Sequence, residues 1–166
     1  MKINQDLDHL REAAAANEAE NDRFKSYLRT LDAGELDERV HRLNAAVTPQ
    51  VDCTACGNCC KTLMINVAPG EIEPVAARLE KAPREVMDVY VETSLQGHMI
   101  LNTIPCPFLT GTMCSIYEDR FNECREFPSL HQPGFSTRLF PTFMHYGRCP
   151  IVYNVVEELK QELGFS

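Results

Sequence analysis

The chain has 166 residues, a net charge of −8 at pH 7, and 44% apolar and 24% charged residues. These values suit one domain with an ordinary aliphatic core. No block of Lys and Arg appears, so we expect no nucleic-acid partner. No apolar run approaches the roughly 18 residues of a membrane-spanning helix, and the N-terminal stretch lacks the apolar centre of a signal peptide. We therefore expect a cytoplasmic protein with no membrane partner.

The first 47 residues have the pattern of a helical arm. Apolar residues between Leu7 and Leu31 recur at three- and four-residue spacings, which predicts an amphipathic helix. We expect the segment 31–38 to turn the chain, with Gly34 as the helix breaker, and a second helix to follow over 36–46. The sequence thus predicts an N-terminal helical segment, residues 1–47, and a cysteine-rich metal-binding domain, residues 48–166.

The cysteine-rich part combines short helices with irregular chain. Two helices that have proline near their starts are predicted over 68–82 and 83–95, and a strand over 98–104. The stretch 105–150 is rich in Pro and Gly, so we expect only short helical turns there. Such a stretch cannot build a regular core of its own, and we expect a cross-link through its cysteines to stabilise it. A last helix is predicted over 150–163, ended by Gly164. The predicted fold is mainly α with irregular cysteine-rich loops, a small metal-stabilised domain with an N-terminal helical arm.

Four of the eight cysteines lie in one stretch of eight residues, CTACGNCC. Cys53, Cys56 and Cys59 follow the Cys-x-x-Cys spacing, in which both thiolates of a turn can reach one ion. Gly57 can adopt the positive φ that is often needed after the second ligand. Because cytosolic thiols stay reduced, this density favours metal binding over disulfides and over buried apolar thiols.

Cys59 and Cys60 are adjacent, which limits how they can bind. Neighbouring side chains diverge by about 100° in a helix, so we do not expect these two to share one tetrahedral ion. Either one of them is not a ligand, or they serve different sites. Further ligands can come from the four later cysteines, which are Cys106, Cys114, Cys124 and Cys149. Eight cysteines permit two four-thiolate sites, or one such site with several non-ligands.

The ligand type does not select the metal, because four thiolates bind Zn²⁺ and an iron–sulfur cluster equally well. The Cys-x2-Cys-x2-Cys spacing matches the start of the bacterial ferredoxin pattern but not its end. Nearby cations could offset the thiolate charge or donate hydrogen bonds to sulfur. These cations are Lys61, Arg120, Arg125 and Arg148. His145, four residues before Cys149, could replace a cysteine ligand.

Three motifs in order resemble one known family. CTACGNCC at 53–60, PCPFLTGTMCSIYEDR at 105–120 and CREFP at 124–128 resemble the CxxCxxCC proteins, also labelled YkgJ-like and described as zinc- or iron-chelating. The resemblance covers about residues 50–130 of the chain. One departure is that Phe121 follows Arg120 where the family often has proline. The resemblance implies metal ligation by Cys53, Cys56, Cys59, Cys60, Cys106, Cys114 and Cys124; we add Cys149 from the cysteine count and the proline that follows it.

The resemblance leaves three functional classes open. We expect a metal-binding protein that holds an iron–sulfur cluster of the 4Fe–4S type, in a redox or metal-handling role with a protein redox partner. The alternatives are a zinc-binding structural or interaction protein without catalysis, and a methylation-related enzyme similar to flagellin lysine methylase, whose cysteine region resembles this family. The sequence has no HExxH, GxSxG or P-loop pattern. It therefore names no catalytic residue and no reaction.

Overall fold

The computed structural model describes residues 2–166 of the chain. More than half of these residues are helical and the strands have two or three residues each, which confirms the mainly α prediction. The chain divides into two compact units: a helical unit, Met1–Asp52 with Pro128–Ser166, and a cysteine unit, Cys53–Phe127. The predicted domain boundary after residue 47 stays a prediction. Within residues 2–166, no helix has the length and apolar character needed to cross a membrane.

The regular elements are short and follow one another closely. The α-helices of the described residues are α1 Leu7–Ala16, α2 Glu18–Leu28, α3 Ala33–Val47, α4 Cys53–Cys56, α5 Asn58–Thr62, α6 Ile72–Arg78, α7 Pro83–Tyr90, α8 Asn122–Glu126, α9 Leu139–Met144 and α10 Pro150–Glu162. The strands are β1 Asn66–Val67, β2 Val91–Thr93, β3 Met99–Leu101, β4 Leu109–Thr110 and β5 Met113–Cys114. Single 3₁₀ turns lie at Thr48–Gln50, Pro69–Glu71, Tyr117–Asp119 and Phe135–Thr137. The stretch 105–150 is irregular apart from such short pieces, as predicted.

The turn between α2 and α3 lies earlier than the sequence predicts. Asp32 caps α3, because its side-chain oxygen accepts hydrogen bonds from the backbone N–H groups of Gly34 and Glu35, both at 2.9 Å. Gly34 therefore lies in the first turn of α3, and its predicted role as a helix breaker is wrong. The predicted first helix is also interrupted at Asn17, which ends α1 and precedes α2.

Helix α10 is the main buried element of the helical unit, where it packs against α3 and α1. The predicted helix is confirmed, with Pro150 in its first turn and Gly164 at φ +61° just beyond its end. Lys160 is only 4% exposed, although it is charged. Its ammonium lies 2.8 Å from the Glu20 carboxylate and 2.9 Å from that of Glu157. This pairing offsets the cost of burying a cation.

The cysteine unit contains a small antiparallel sheet in the order β1–β3–β2. The predicted strand is confirmed in β3, whose Ile100 lies opposite Asn66 and Glu92. The helix predicted over 83–95 is partly wrong, because it ends at Tyr90 and the chain continues as β2. Val91 in β2 is β-branched and pairs with β3, so strand pairing prevails there over helix continuation.

A second sheet is the hairpin of β4 and β5, in which Leu109 lies opposite Cys114. Gly111, in its two-residue turn, has φ +65°. Cys106, Cys114 and Cys124 pack against the apolar core of the unit, which buries them in part. The buried members of that core are Ile65, Val67, Ile72, Val75, Ala76, Val86, Leu101, Phe108, Ile116 and Phe121.

Candidate metal centre

The cysteine motif forms two helical turns joined by Gly57. Helix α4 ends at Cys56, Gly57 has φ +58°, and α5 begins at Asn58, which confirms the predicted positive φ. A Cβ atom on Gly57 would lie 2.9 Å from both the Cα and the carbonyl oxygen of Thr112. Thr112 is in the turn between β4 and β5, so the motif packs closely against the hairpin that carries Cys114.

Backbone hydrogen bonds bring the motif to the loop that precedes the hairpin. The Cys106 N–H donates to the Cys60 carbonyl at 2.8 Å, and the Leu109 N–H donates to the Cys106 carbonyl at 3.0 Å. The Ser115 N–H, just after Cys114, donates to the Phe108 carbonyl at 2.8 Å. These bonds fix Cys60 and Cys106 beside the hairpin.

Two carboxylates hold the short helix α8, which carries Cys124. The Glu123 carboxylate accepts hydrogen bonds from the backbone N–H and, at 2.9 Å, from the side-chain amide of Asn66. The Glu71 carboxylate accepts from the backbone N–H of Asn122 and, at 2.7 Å, from that of Ala68. The two carboxylates thus tie α8 to β1 and to the turn before α6. Sequence reasoning missed both, because Asn66 lies 57 residues from Glu123 and Asn122 lies 51 residues from Glu71.

Four thiols, which we call the thiol quartet, share one electrostatic neighbourhood. The quartet consists of Cys60, Cys106, Cys114 and Cys124. Burial raises the pKa of Cys106 and Cys114, and the charge of Cys60 raises both further. Burial also raises the pKa of Cys124 to about 12, with added contributions from the charges of the other three. The thiols are therefore near enough for the charge of one to change the protonation of the next.

Cys60 is the anionic member of the quartet. A hydrogen bond from the Cys59 thiol lowers the pKa of Cys60 to about 6, against the effect of partial burial. Its own backbone N–H and the charge of Lys61 lower that pKa further. At neutral pH Cys60 is therefore a thiolate, the protonation state that binds metal.

Backbone amides and one cation favour the thiolate forms of two other members. The Phe108 N–H donates to the sulfur of Cys106 and lowers its pKa, and the Ile116 N–H does the same for Cys114. The charge of Arg120 also lowers the pKa of Cys114. Arg120, like Lys61, thus offsets thiolate charge, as predicted. Amide donors to sulfur are typical partners of thiolate ligands in metal sites.

The remaining predicted site residues lie outside the quartet. Cys53 is exposed, and Cys56 and Cys59 are partly buried. Cys149 is buried in the helical unit at the start of α10, and His145 lies in the same unit. Their roles as ligands stay predictions. Arg125 donates to the backbone carbonyl of Arg120 at 3.0 Å and to that of Glu118, so it braces the chain before α8.

The donor set fits a thiolate-bound metal, although the side chains do not converge as they would around a bound ion. Across residues 2–166, no three Cys, His, Asp or Glu side chains are already arranged to hold a metal ion. The quartet nevertheless supplies four sulfur donors, one of them anionic, with amide hydrogen bonds to two others. Zinc and iron–sulfur clusters both take four such donors.

Comparison with known proteins agrees with the chemistry of these donors. The model of the CxxCxxCC family, described as a proposed zinc- or iron-chelating domain, matches residues 52–143. The matched range contains seven of the eight cysteines and excludes Cys149. No curated protein and no solved structure gives a significant match.

Proposed function

Since the chain belongs to the CxxCxxCC family of proposed zinc- or iron-chelating domains, we propose that its metal centre is an iron–sulfur cluster held by the thiol quartet. The centre would serve a redox or metal-handling role, with a protein redox partner. The observation that carries the proposal is the packing that gathers these residues: the Cys106 N–H donates to the Cys60 carbonyl at 2.8 Å, and Cys106, Cys114 and Cys124 lie against one apolar core. The charge of Cys60 also raises the pKa values of the other three thiols, as expected of sulfur atoms that lie near one another.

Metal binding would relieve the electrostatic cost of this arrangement. Cys106, Cys114 and Cys124 pack against an apolar core, which disfavours their charged forms. A metal cation supplies the missing positive charge, so the thiols can release their protons on binding. The partly buried quartet is therefore better suited to thiolates bound to metal than to free thiolates.

The residues around the quartet would hold and tune the cluster. An iron–sulfur cluster, when bound, supplies one-electron transfer, at a potential that depends on hydrogen bonds to sulfur, net charge and exposure. The N–H groups of Phe108 and Ile116 supply such hydrogen bonds, and Arg120 supplies positive charge next to Cys114. The same groups would stabilise the thiolates in a zinc site.

A zinc-binding structural role is the second candidate, and the elements that carry the quartet favour it. Cys60 lies in α5, Cys106 in a loop, Cys114 in a two-residue strand and Cys124 in a five-residue helix. Such short elements have few hydrogen bonds of their own. A closed four-thiolate zinc site would join them without any chemistry.

Anaerobic purification, with an absorption spectrum and analysis of iron, acid-labile sulfide and zinc per chain, tests the proposal. Iron and sulfide in the parent protein, lost in Cys114→Ser and Cys124→Ser, are expected for the cluster. A colourless protein with zinc that these two substitutions remove would favour the second candidate. Ser115→Ala is the matched control, because Ser115 is exposed, directly follows Cys114 and carries no thiol. A parent protein without either metal would overturn both functions.

A further inference from the structure

Helix α10 buries two polar side chains within an apolar face. Asn154 is 5% exposed and Lys160 is 4% exposed, and the other buried residues of the helix are apolar. Burial of an amide or a cation costs free energy unless partners satisfy it. Both side chains have such partners in the N-terminal part of the helical unit, which are Asn4 for Asn154 and Glu20 for Lys160.

The apolar residues of α10 do not by themselves fix its position along the helix axis. They form two buried rows at four-residue spacing, which are Ile151, Val155 and Leu159, and Val152 and Val156. A shift of α10 by one turn, about 5.4 Å, towards its C-terminal end would place each residue where the next member of its row now lies. Because cores tolerate exchanges between apolar residues of similar size, apolar packing discriminates only weakly between the two registers.

Lys160 opposes this shift because it occupies the next place in the second row. Its ammonium lies 2.8 Å from the carboxylate of Glu20 in α2 and 2.9 Å from that of Glu157 in α10 itself. In the shifted register Val156 would take the place of Lys160 beside Glu20. The carboxylate of Glu20, whose side chain is two-thirds buried, would then lose its cation.

Asn154 opposes the same shift through the backbone of Asn4. Its side-chain oxygen accepts a hydrogen bond from the Asn4 N–H at 2.9 Å, and its side-chain nitrogen donates to the Asn4 carbonyl at 2.8 Å. In the shifted register Pro150, which has no polar side-chain atom, would take the place of Asn154. Both backbone groups of Asn4 would then lose these partners.

We propose that Asn154 and Lys160, which we call the register pair, select one of two positions of α10 that lie one helical turn apart. A buried polar residue that fixes the register of packed helices, at a cost in stability, is a known use of such groups. The register pair also joins the two chain segments of the helical unit, because its partners Asn4 and Glu20 lie in Met1–Asp52 and α10 lies in Pro128–Ser166. The inference is independent of the metal centre.

A distance between α3 and α10 in the full chain tests the proposal. Spin labels on a ketone-bearing amino acid at Ala33 in α3 and at Gln161 in α10, both exposed, leave all cysteines unmodified. Pulsed electron paramagnetic resonance gives the distribution of distances between the two labels. Circular dichroism of each labelled chain shows whether its helices have formed.

The decisive variant combines Asn154→Leu with Lys160→Met, which removes both polar side chains and keeps the site apolar. Lys160→Arg is the conservative variant, because a guanidinium can still bind both carboxylates. Lys25→Met is the matched control. The Lys25 ammonium also lies 2.7 Å from a carboxylate, that of Asp22, and 5.8 Å from an aromatic ring centre, but its ion pair is within α2.

We expect one distance in the parent, in Lys160→Arg and in Lys25→Met. The double variant should show a second distance, up to about 5.4 Å from the first, in about one chain in ten or more. A single parental distance in the double variant would overturn the register pair, as would a second distance in Lys25→Met. If the double variant loses its helical signal, Lys160→Met alone decides: a second distance is expected there, and a single parental distance overturns the proposal.

Discussion

At the scale of single residues, Gly57 is required for two independent reasons. Its φ of +58° disfavours any side chain, and a Cβ there would overlap the backbone of Thr112. Gly111, in the hairpin turn, has a similar φ of +65° but open space around it. Substitutions at the two glycines can therefore distinguish the effect of backbone strain, which both positions have, from the effect of steric overlap, which only Gly57 has.

We predict that Gly57→Ala lowers both the stability of the cysteine unit and its metal content, whereas Gly111→Ala lowers only stability. Each substitution should cost about 1 kcal/mol for the positive φ. Gly57→Ala adds an overlap that moves the motif away from the hairpin. Denaturant unfolding and metal analysis of both variants are the measurements. Equal metal content in the two variants would contradict a role for this close packing.

The thiol pKa values predict how many protons leave when the quartet binds metal. At pH 7.5 Cys60, with a pKa of about 6, is already a thiolate. Cys106, Cys114 and Cys124 are protonated, because burial raises their pKa values above the usual thiol range. Binding of one divalent ion should therefore release about three protons, and the affinity should rise with pH.

Calorimetry of Co²⁺ binding in buffers of different ionisation enthalpy measures the number of protons that the quartet releases. Below pH 6 Cys60 also becomes protonated, so the release should approach about four protons and the affinity should fall more steeply. Release of one proton or none at pH 7.5 would mean that Cys106, Cys114 and Cys124 are already ionised, in contradiction to their partly buried positions against the apolar core.

At the scale of elements, the stability of helix α8 depends on hydrogen bonds to residues outside the helix. It has five residues, which is too short for stability from its own hydrogen bonds. Glu123 connects it to Asn66 in β1, and Glu71 connects its first residue, Asn122, to the turn at Ala68. The position of Cys124 is thus determined by two carboxylates that do not themselves belong to the quartet.

Glu123→Ala should therefore speed metal dissociation by about tenfold or more, because α8 loses its hydrogen bonds to Asn66 and bonds to a charged group are worth about 1.5–3 kcal/mol. Glu123→Gln keeps one acceptor oxygen and should have a smaller effect. Glu92→Ala, at an exposed position in β2, is the matched control. Competition with a chelator measures the dissociation rate. A rate in Glu123→Ala equal to that of the control would show that the link to Asn66 does not position Cys124.

Elements with a local signal were predictable from the sequence, and the quartet was not. Helix α10 has its proline at the start and a glycine just beyond its end, and β3 has a short apolar run, so both were predicted correctly. The end of α7 was missed because β2 forms only by pairing with β3. Likewise, spacing alone leaves open which site Cys60 joins, whereas the hydrogen bond from the Cys106 N–H to the Cys60 carbonyl sets Cys60 beside the later cysteines.

At the scale of the whole molecule, the two units differ in what stabilises them. The helical unit has long amphipathic helices with a buried apolar face, including α3 and α10. The cysteine unit has strands of two or three residues, and three of its quartet thiols pack against its apolar core. Metal that binds only the folded state of the cysteine unit stabilises that unit by mass action.

We therefore predict that removal of metal affects the two units unequally. In hydrogen–deuterium exchange of the full chain with and without metal, amides of the β4–β5 hairpin and of α8 should exchange about tenfold or more faster without it, the change that a loss of about 1.4 kcal/mol would give. Amides of α3 and α10 should keep their rates, because none of the quartet thiols lies in the helical unit. Slower exchange confined to α10 on metal binding would instead assign the centre to Cys149, since that residue directly precedes Pro150 at the start of the helix.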